Sequence, residues 1–505
     1  MSRKVRIGID VGGTFTDAVV IDDATYEIIG KAKIPTTHHA EKGVAAGIVT
    51  VIKKVMEENG IQPEEVAFIA HGTTQATNAL LEGDVAKVGI IGMGTGLEGE
   101  RAKSETRIGD IELAPGKFLH TAHTFLDAAR LDEAAIDGAV DALLKEGAEV
   151  FVASESYSVD DPSHEMAVID KAANRGILAT GGYEISQLYG LKARTRTAVV
   201  NAALIPKMVE TADMTEKSVR EAAIRKPLMI MRCDGGVMDV DEIRKRPILT
   251  MLSGLAAGVA GALMYEKVTD GIFFEVGGTS TDISVIKDGK VMVKNATVGG
   301  RKLYLTSLDV RTLGIAGGSM IVIRDGAIAD VGPRSAHIAN KEYELFASPG
   351  EMEAPVLKMI APREEDCPDY AVVRCKNGKE YALTLAGAAN ILGYVPEGDY
   401  AYGNVEAARI AWAAAKAIGI SVDEACRKAM DTAAEKVKAI VNDLIEDYQL
   451  NRQMIRFVGG GGSASVIPPY LGEMMGIRWQ IAENAPYIST IGVAMALVRE
   501  QVERN

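Results

Sequence analysis

An octapeptide written twice does most to limit what this chain can become. Asp10-Val11-Gly12-Gly13-Thr14-Phe15-Thr16-Asp17 recurs as Glu275-Val276-Gly277-Gly278-Thr279-Ser280-Thr281-Asp282, 265 residues later (275 minus 10). An apolar run precedes each copy, Val5 to Ile9 or Ile272 to Phe274, and another follows, Ala18 to Ile21 or Ile283 to Ile286. Short apolar runs bounded by glycine turns read as strands, so each copy predicts strand, tight turn, strand. The second continues through Lys287-Asp288-Gly289-Lys290 into Val291-Met292-Val293. Asp-Gly between apolar segments is a hairpin signal, and a three-stranded meander is therefore expected to open each half.

After the first meander come a helical stretch from Val44 to Glu58, a strand from Val66 to Ala70 and a helix beginning near Thr77. Strands and helices alternate from there, which predicts the α/β class. A chain of 505 residues exceeds what one core usually supports, so two lobes are expected. The Gly/Ala-rich segment from Ser253 to Tyr265 suits a tightly packed helix, and the boundary is placed there: residues 1–265 and 266–505. Residues 296–400 are more turn-rich and read as an insertion in the second lobe. From Val405 to Tyr448 the pattern is helical and free of proline.

A net charge of −14 and a pI near 5.2 oppose a phosphate backbone, so nucleic acid is not an expected partner. No apolar run reaches the roughly 20 residues of a membrane-spanning helix, and the start lacks a signal-peptide pattern. A cytoplasmic protein away from membranes is the expectation. Cys233, Cys367, Cys375 and Cys426 are scattered, which reads as reduced thiols, with Cys367 and Cys375 near enough in sequence to meet across a hairpin.

Polyphosphate requires several main-chain N–H groups converging on it, and consecutive glycines let the backbone approach. Gly12, Gly13, Gly277 and Gly278 meet that need, while Thr14, Thr16, Thr279 and Thr281 add hydroxyls. The acids Asp10, Asp17, Glu275 and Asp282 would repel phosphate unless a divalent cation intervened. The pattern implies ATP with Mg²⁺, the metal falling to Asp10, Asp17 and Asp282. A third cluster, Gly459-Gly460-Gly461-Gly462, offers a flat backbone shelf for adenine or ribose. His71-Gly72-Thr73-Thr74-Gln75-Ala76-Thr77-Asn78 follows a strand, where α/β sheets present ligands. His71 is a candidate catalytic residue beside Asp10 and Glu275, and Thr73, Thr74 and Asn78 are candidate substrate contacts. Gly92-Met93-Gly94-Thr95-Gly96 misses the dinucleotide spacing and reads as a loop.

The segments Gly8 to Asp17, His71 to Leu81 and Val276 to Asp282 together resemble the hydantoinase A/5-oxoprolinase family. Arg194 to Asn201, Asp234 to Met238, Ser253 to Gly258 and Gly314 to Ser319 are similar to further family segments, so the resemblance covers most of the chain. It implies two ribonuclease-H-like lobes of the actin, sugar kinase and heat-shock chaperone type, with ATP in a central cleft. It also implies an ATP-dependent hydrolase that phosphorylates and opens a small cyclic amide such as a hydantoin or 5-oxoproline. The alternatives are an ATP-using subunit of a ketone carboxylase, or an ATP-driven accessory protein that reactivates a partner enzyme. Expected partners are a small carbonyl or lactam substrate, a second enzyme subunit and further copies in an oligomer.

Two positions and one segment depart from the family pattern. Glu275 stands where the family usually has aspartate, Leu255 where it has proline, and the segment Gly332 to Asn340 replaces a proline- and glycine-rich stretch. The sequence also reads as a short form of the family.

Overall fold

Val5, Ile7, Ile9 and Val11 alternate with smaller or polar residues, the period of a half-buried strand, and they form β1 (Val5–Val11). The computed structural model describes residues 3–12, 15–37, 44–414 and 419–498. β1 pairs antiparallel with β2 (Phe15–Asp22), which pairs antiparallel with β3 (Ile28–Pro35). The first expected meander is therefore present. β4 (Val66–Thr73) joins the other side of β1 in parallel.

Helix α1 (Val44–Glu58) crosses back over this sheet, presenting Ile48, Val51, Ile52 and Val55 at three- and four-residue spacing. These side chains bury against Ile7, Ile9, Ala18 and Val20. Each fully buried aliphatic group of this size contributes about 1.5–3 kcal/mol. The helix stops at Asn59-Gly60, where Gly60 takes φ +60° and the Ile61 N–H returns to the Met56 carbonyl at 2.9 Å, a glycine C-cap. Helix α2 (Gln75–Glu82) follows β4 directly.

The chain divides into two compact units. The first holds residues up to Ala257, Val293–Leu308 and the segment from Val493; the second holds Gly258–Met292 and Asp309–Gly492. In the first unit a parallel four-stranded sheet is built from β5 (Val88–Gly94), β6 (Thr121–Asp127), β7 (Val150–Glu155) and β8 (Ala179–Gly181), in the order β8-β7-β5-β6. Gly92 and Gly94 lie inside β5 rather than in a loop, because a Cβ at Gly92 would stand 2.3 Å from the Thr106 hydroxyl. The long helix α3 (Leu191–Glu221) leads to β9 (Leu228–Met231) and β10 (Val237–Asp239). The main sheet then runs β10-β9-β4-β1-β2-β3, with β9 parallel to β4. An antiparallel meander followed by parallel strands on its inner edge is the ribonuclease-H order.

Helix α4 spans Ser253–Met264. The second unit repeats the same order with new residues. β11 (Gly271–Val276) and β12 (Thr281–Lys287) form its hairpin, and β13 is only Lys290–Val291. The expected third strand is cut short because Val293 begins a separate ribbon, β14 (Val293–Val298) with β15 (Arg301–Leu308). The helical segment after Val405 comprises Val405–Ala413 and α5 (Val422–Asp447). It leads into β16 (Arg456–Gly460), parallel to β11, and β17 (Arg478–Ile481), parallel to β16. The order is β13-β12-β11-β16-β17. Helix α6 (Ile488–Met495) follows. A further mixed sheet lies within residues 319–382.

Cys233, Cys375 and Cys426 are buried, Cys367 is exposed, and all four are free thiols. No described helix is long and apolar enough to cross a membrane.

Candidate active site

The strand period sorts the first glycine hairpin into two faces. Cross-strand partners share a face, and the register pairs Asp10 with Asp17 and with Gly72, but Ile9 with His71 and Val11 with both Thr16 and Thr73. Asp10, Asp17 and Gly72 therefore occupy one face. Thr16, His71 and Thr73 occupy the other, which carries the core under α1.

On the first face two carboxylates stand directly opposite each other. Asp10 Oδ1 and Asp17 Oδ1 are buried and have no hydrogen-bond partner among the described residues. Burial, then the charge of Asp17, push the Asp10 carboxyl up from its ordinary value to about 7, against the pull of Lys33 and a hydrogen bond from the Val11 main chain. Asp17 is raised as well, chiefly by burial, although Lys33 Nζ meets its Oδ2 at 2.7 Å. Gly72 makes the arrangement possible, since a Cβ there would lie 3.0 Å from Asp10 Oδ1.

An acid pair with orphaned oxygens fits a divalent cation or a retained proton. Among the described residues no group of three or more His, Cys, Asp or Glu side chains is placed to hold a metal. Asp10 and Asp17 thus offer at most two protein ligands, which suits Mg²⁺, an ion that keeps waters and takes phosphate oxygens beside one or two carboxylates.

The other face is structural in its contacts. His71 is buried among apolar residues, and burial lowers its imidazole to about 4 despite a hydrogen bond to the Ile9 main chain. It is neutral, with Nδ1 lacking a partner among the described residues. The Thr16 hydroxyl lies 3.3 Å from that of Thr36, which donates to the Gly12 carbonyl at 2.8 Å. Thr16 thus ties the glycine turn to the end of β3 instead of pointing to a ligand, and Thr36 is a turn-bracing residue with no prior sequence signal. Gly13 and Thr14 lie outside the described residues.

The loop after β4 is held from several sides. The Ser253 hydroxyl donates to the Thr73 carbonyl at 2.8 Å, and the Thr73 hydroxyl accepts from the Gln75 N–H at 3.2 Å. Thr74 caps α2 and donates to the Val11 carbonyl at 3.4 Å. The exposed Asn78 amide reaches the Thr74 hydroxyl at 3.5 Å. Of the four predicted residues here, Thr74 and Asn78 are accessible, while His71 and Thr73 are buried.

The second hairpin repeats the division. Glu275 pairs with Asp282 and with Gly460, and Val276 pairs with Thr281. Ser489 Oγ donates to Glu275 Oε1 in a short bond. A Cβ at Gly258 would collide with Glu275 Oε2, so α4 can pass only because it has glycine there. Thr312 donates to Asp282 Oδ1 at 2.5 Å, and burial raises the Asp282 carboxyl. Thr281, like Thr16, faces the core, donating to the Ile315 carbonyl at 2.6 Å.

Gly277 N–H closes the turn on the Ser280 carbonyl at 3.1 Å, leaving Gly278 and Thr279 at the tip. Gly317 and Gly318, a pair given no role from sequence, donate their N–H groups to the Gly277 and Gly278 carbonyls at 3.1 and 2.9 Å. The Thr279 hydroxyl lies 3.2 Å from that of Ser335. In the third glycine cluster, Gly459 and Gly460 belong to β16 and are consumed by packing, against Pro468 and Ile481 and against Phe273 and Ile488. Gly461 turns the chain at φ +86°, and Gly462 lies under the ring of the exposed Tyr400. Gly461 also packs on the Val276 main chain and donates its N–H to the Ala485 carbonyl at 2.8 Å, so the open part of the shelf is Gly462.

With this geometry in place, comparison with known proteins is decisive for ancestry. The hydantoinase/oxoprolinase family model matches residues 194–502, and the model of the family's N-terminal region matches residues 6–176. The chain belongs to the hydantoinase/oxoprolinase family. Among hydantoinase/oxoprolinase relatives, the caprolactamase alpha subunit of Pseudomonas jessenii is 27% identical over 94% of this chain and 68% of its own length. The acetophenone carboxylase gamma subunit of Aromatoleum aromaticum is 26% identical over 73% of this chain and 52% of its own length. The chain thus spans about two thirds of one relative and about half of the other.

Two solved structures share the fold. The ATP-dependent caprolactamase of Pseudomonas jessenii superposes at TM-score 0.68 with 23% identity, covering 96% of this chain and 70% of that one. The nucleotide-free acetone carboxylase superposes at 0.66 with 19% identity, covering 98% and 71%.

Proposed function

We propose that this chain binds ATP with Mg²⁺ and uses it to open a small cyclic amide of the hydantoin, 5-oxoproline or lactam type. One observation carries the reading: Asp10, at the mouth of a glycine turn, is a buried carboxyl raised to about 7 with an oxygen that no group among the described residues satisfies. A group so placed holds or releases a proton near neutral pH, as a general base must. The kinship with a caprolactamase subunit supplies the substrate class.

ATP supplies a phosphoryl group that makes an unreactive amide carbon open to attack, and Mg²⁺ supplies charge neutralisation between phosphate and carboxylate. Asp10 and Asp17 would hold the cation, or Asp10 would instead orient the attacking water and take its proton, with the cation left to Asp17. The Gly12 and Gly277 N–H groups close their own turns on the Phe15 and Ser280 carbonyls at 2.9 and 3.1 Å, so in the second hairpin phosphate falls to Gly278 and Thr279 at the tip, and in the first to Gly13 and Thr14, which lie outside the described residues. Glu275, fixed by Ser489, and Asp282 form the acidic pair of the second hairpin. Gly462 receives the adenosine, with Gly461 turning the chain beside it, while Thr74 and Asn78 touch substrate. His71 and Thr73 set the shape of the β4 loop from behind.

A second reading, the ATP-using subunit of a ketone carboxylase, is favoured by the acetophenone carboxylase relative. Purified chain is to be incubated with ATP, Mg²⁺ and hydantoin, 5-oxoproline, caprolactam or acetophenone with bicarbonate. Phosphate release stimulated by a cyclic amide supports the first reading, and stimulation by ketone with bicarbonate supports the second. Release that appears only with a co-purifying protein rules out a self-sufficient enzyme.

A further inference from the structure

A phenol from elsewhere in the second unit reaches the tip of the second glycine turn. Tyr343 belongs to the two-residue strand Glu342–Tyr343 at the edge of the further mixed sheet, parallel to Glu380–Ala382. Its hydroxyl stands so near the turn that a Cβ would lie 3.1 Å from it at Gly278 and 1.9 Å from it at Gly318. Only glycine at 318 leaves room for the hydroxyl there. Gly318 is itself fixed, its N–H donating to the Gly278 carbonyl and its carbonyl accepting from the Ala336 N–H, both at 2.9 Å.

The ring is held by its surroundings. It packs against the buried cluster that includes Met320, Val322, Ala336 and Ala382, and the exposed Phe346 lies beside it at a centroid separation of 5.4 Å, within the range of aromatic pairs. Among the described residues, however, its hydroxyl makes no hydrogen bond. The other hydroxyls at the tip are engaged with one another: that of Thr279 lies 3.2 Å from that of Ser335, which accepts from the Ile338 N–H at 3.3 Å. A partly buried phenol held in one place without an acceptor is unfavourable.

What the hydroxyl lacks is an acceptor. Burial, then the charge of Glu344, push the phenol up to about 12, so near neutral pH it keeps its proton and donates. Glu344 is committed elsewhere: its oxygens accept from the Thr384 N–H at 3.0 Å, the Thr384 hydroxyl at 2.9 Å and Trp412 Nε1 at 2.9 Å. At the tip itself stand Gly278 and Thr279, the positions to which phosphate falls in this hairpin. Phosphoryl oxygens are charged acceptors that take several hydrogen bonds at once, and a neutral phenol adds one of these without altering the balance of acids and cation.

We propose that Tyr343 is a phosphate-binding residue of the second hairpin, its hydroxyl donating to a phosphoryl oxygen of the nucleotide at the Gly278 turn. This rests on the reading of the glycine turns as an ATP site and adds to it a residue 65 positions beyond Gly278 (343 minus 278) that no motif marks.

Tyr343→Phe removes the hydroxyl and keeps the ring. Calorimetric titration of the full chain with Mg²⁺ and the non-hydrolysable analogue adenylyl imidodiphosphate reads the consequence without turnover, and tripolyphosphate serves as a competitor that has no nucleoside. Both probes are expected to bind the variant about tenfold more weakly, the effect of losing one hydrogen bond to a charged oxygen. The melting temperature without ligand should be unchanged, because no bond within the protein is broken. Affinities within about twofold of wild type for both probes would remove Tyr343 and leave the ATP reading standing. A loss for the nucleotide analogue alone would put the hydroxyl on the nucleoside, and a lowered melting temperature would make it a structural group; either overturns the assignment. Failure of the wild-type chain to bind either probe would remove the ATP reading itself, and Tyr343 with it.

Discussion

Asp10 and Asp17 face each other across the β1–β2 ladder, each with a buried Oδ1 that no hydrogen bond from the described residues reaches. Like charges directly opposite on a sheet destabilise it, and burial adds the cost of removing a carboxylate from water. A fold that retains this pair keeps a proton, a cation or both at the head of its first hairpin.

Asp10→Asn is expected to lower ATP turnover by about a hundredfold or more while leaving the protein folded. It also separates stability from catalysis through pH. Because the folded-state carboxyl sits near 7 and the unfolded one near 3.8, the folded protein binds more protons in between. Stability is then highest below the unfolded value and declines as pH rises from about 4 to about 7. Asn cannot ionise, so the melting temperature of Asp10→Asn should gain on wild type across that window, without nucleotide or metal. Parallel melting curves at every pH would remove Asp10 as a buried, proton-holding acid.

Gly72→Ala should act on the same centre from behind. The added methyl would meet Asp10 Oδ1 at 3.0 Å and Val493 Cγ2 at 3.1 Å, forcing one of them to move. Overpacking of this kind costs about 1–3 kcal/mol, and a displaced carboxylate should cost at least about tenfold in kcat. Unchanged kcat with a lowered melting temperature would show that Val493 yields and Asp10 stays.

Much of this was legible in sequence because its signals are local. The glycine hairpins, α1 and the helix from Ser253 follow from residue periodicity and turn residues, which act over a few positions. The two-face sorting of the site is local too, yet it needs the pairing register: Thr16 looks equivalent to Thr14 in a list of hydroxyls but stands beside Val11, facing α1. What stayed hidden depends on contacts between distant segments. Ser489 meeting Glu275, Gly258 making room for that same side chain, and Gly317-Gly318 extending the second turn join residues 214 (489 minus 275), 17 (275 minus 258) and 40 (317 minus 277) positions apart.

Thr281→Val distinguishes a core hydroxyl from a phosphate donor. Removing the hydroxyl leaves the buried Ile315 carbonyl without the bond it receives at 2.6 Å, a loss of about 1–3 kcal/mol. The KM for ATP should change by less than about threefold. A tenfold rise in KM at unchanged stability would put the hydroxyl on the nucleotide.

The glycines at the end of β16 divide in the same manner, and two alanine substitutions should part their roles. At Gly461 the backbone has φ +86° and a Cβ would stand 2.5 Å from the Val276 carbonyl, so Gly461→Ala strains both the turn and the strand leading to Gly277. A left-handed non-glycine residue alone costs about 1 kcal/mol or more, and the collision adds to it. At Gly462 the nearest atoms are the Tyr400 ring carbons at 3.3 Å, and that ring is about half exposed, at 52%, with solvent to move into. Gly462→Ala should therefore melt close to wild type yet bind ATP several-fold more weakly, since the methyl occupies the shelf itself. Nucleotide titration of the two variants decides the matter: ATP affinity equal to wild type in Gly462→Ala would move the adenosine away from this loop and leave its glycines a purely architectural role.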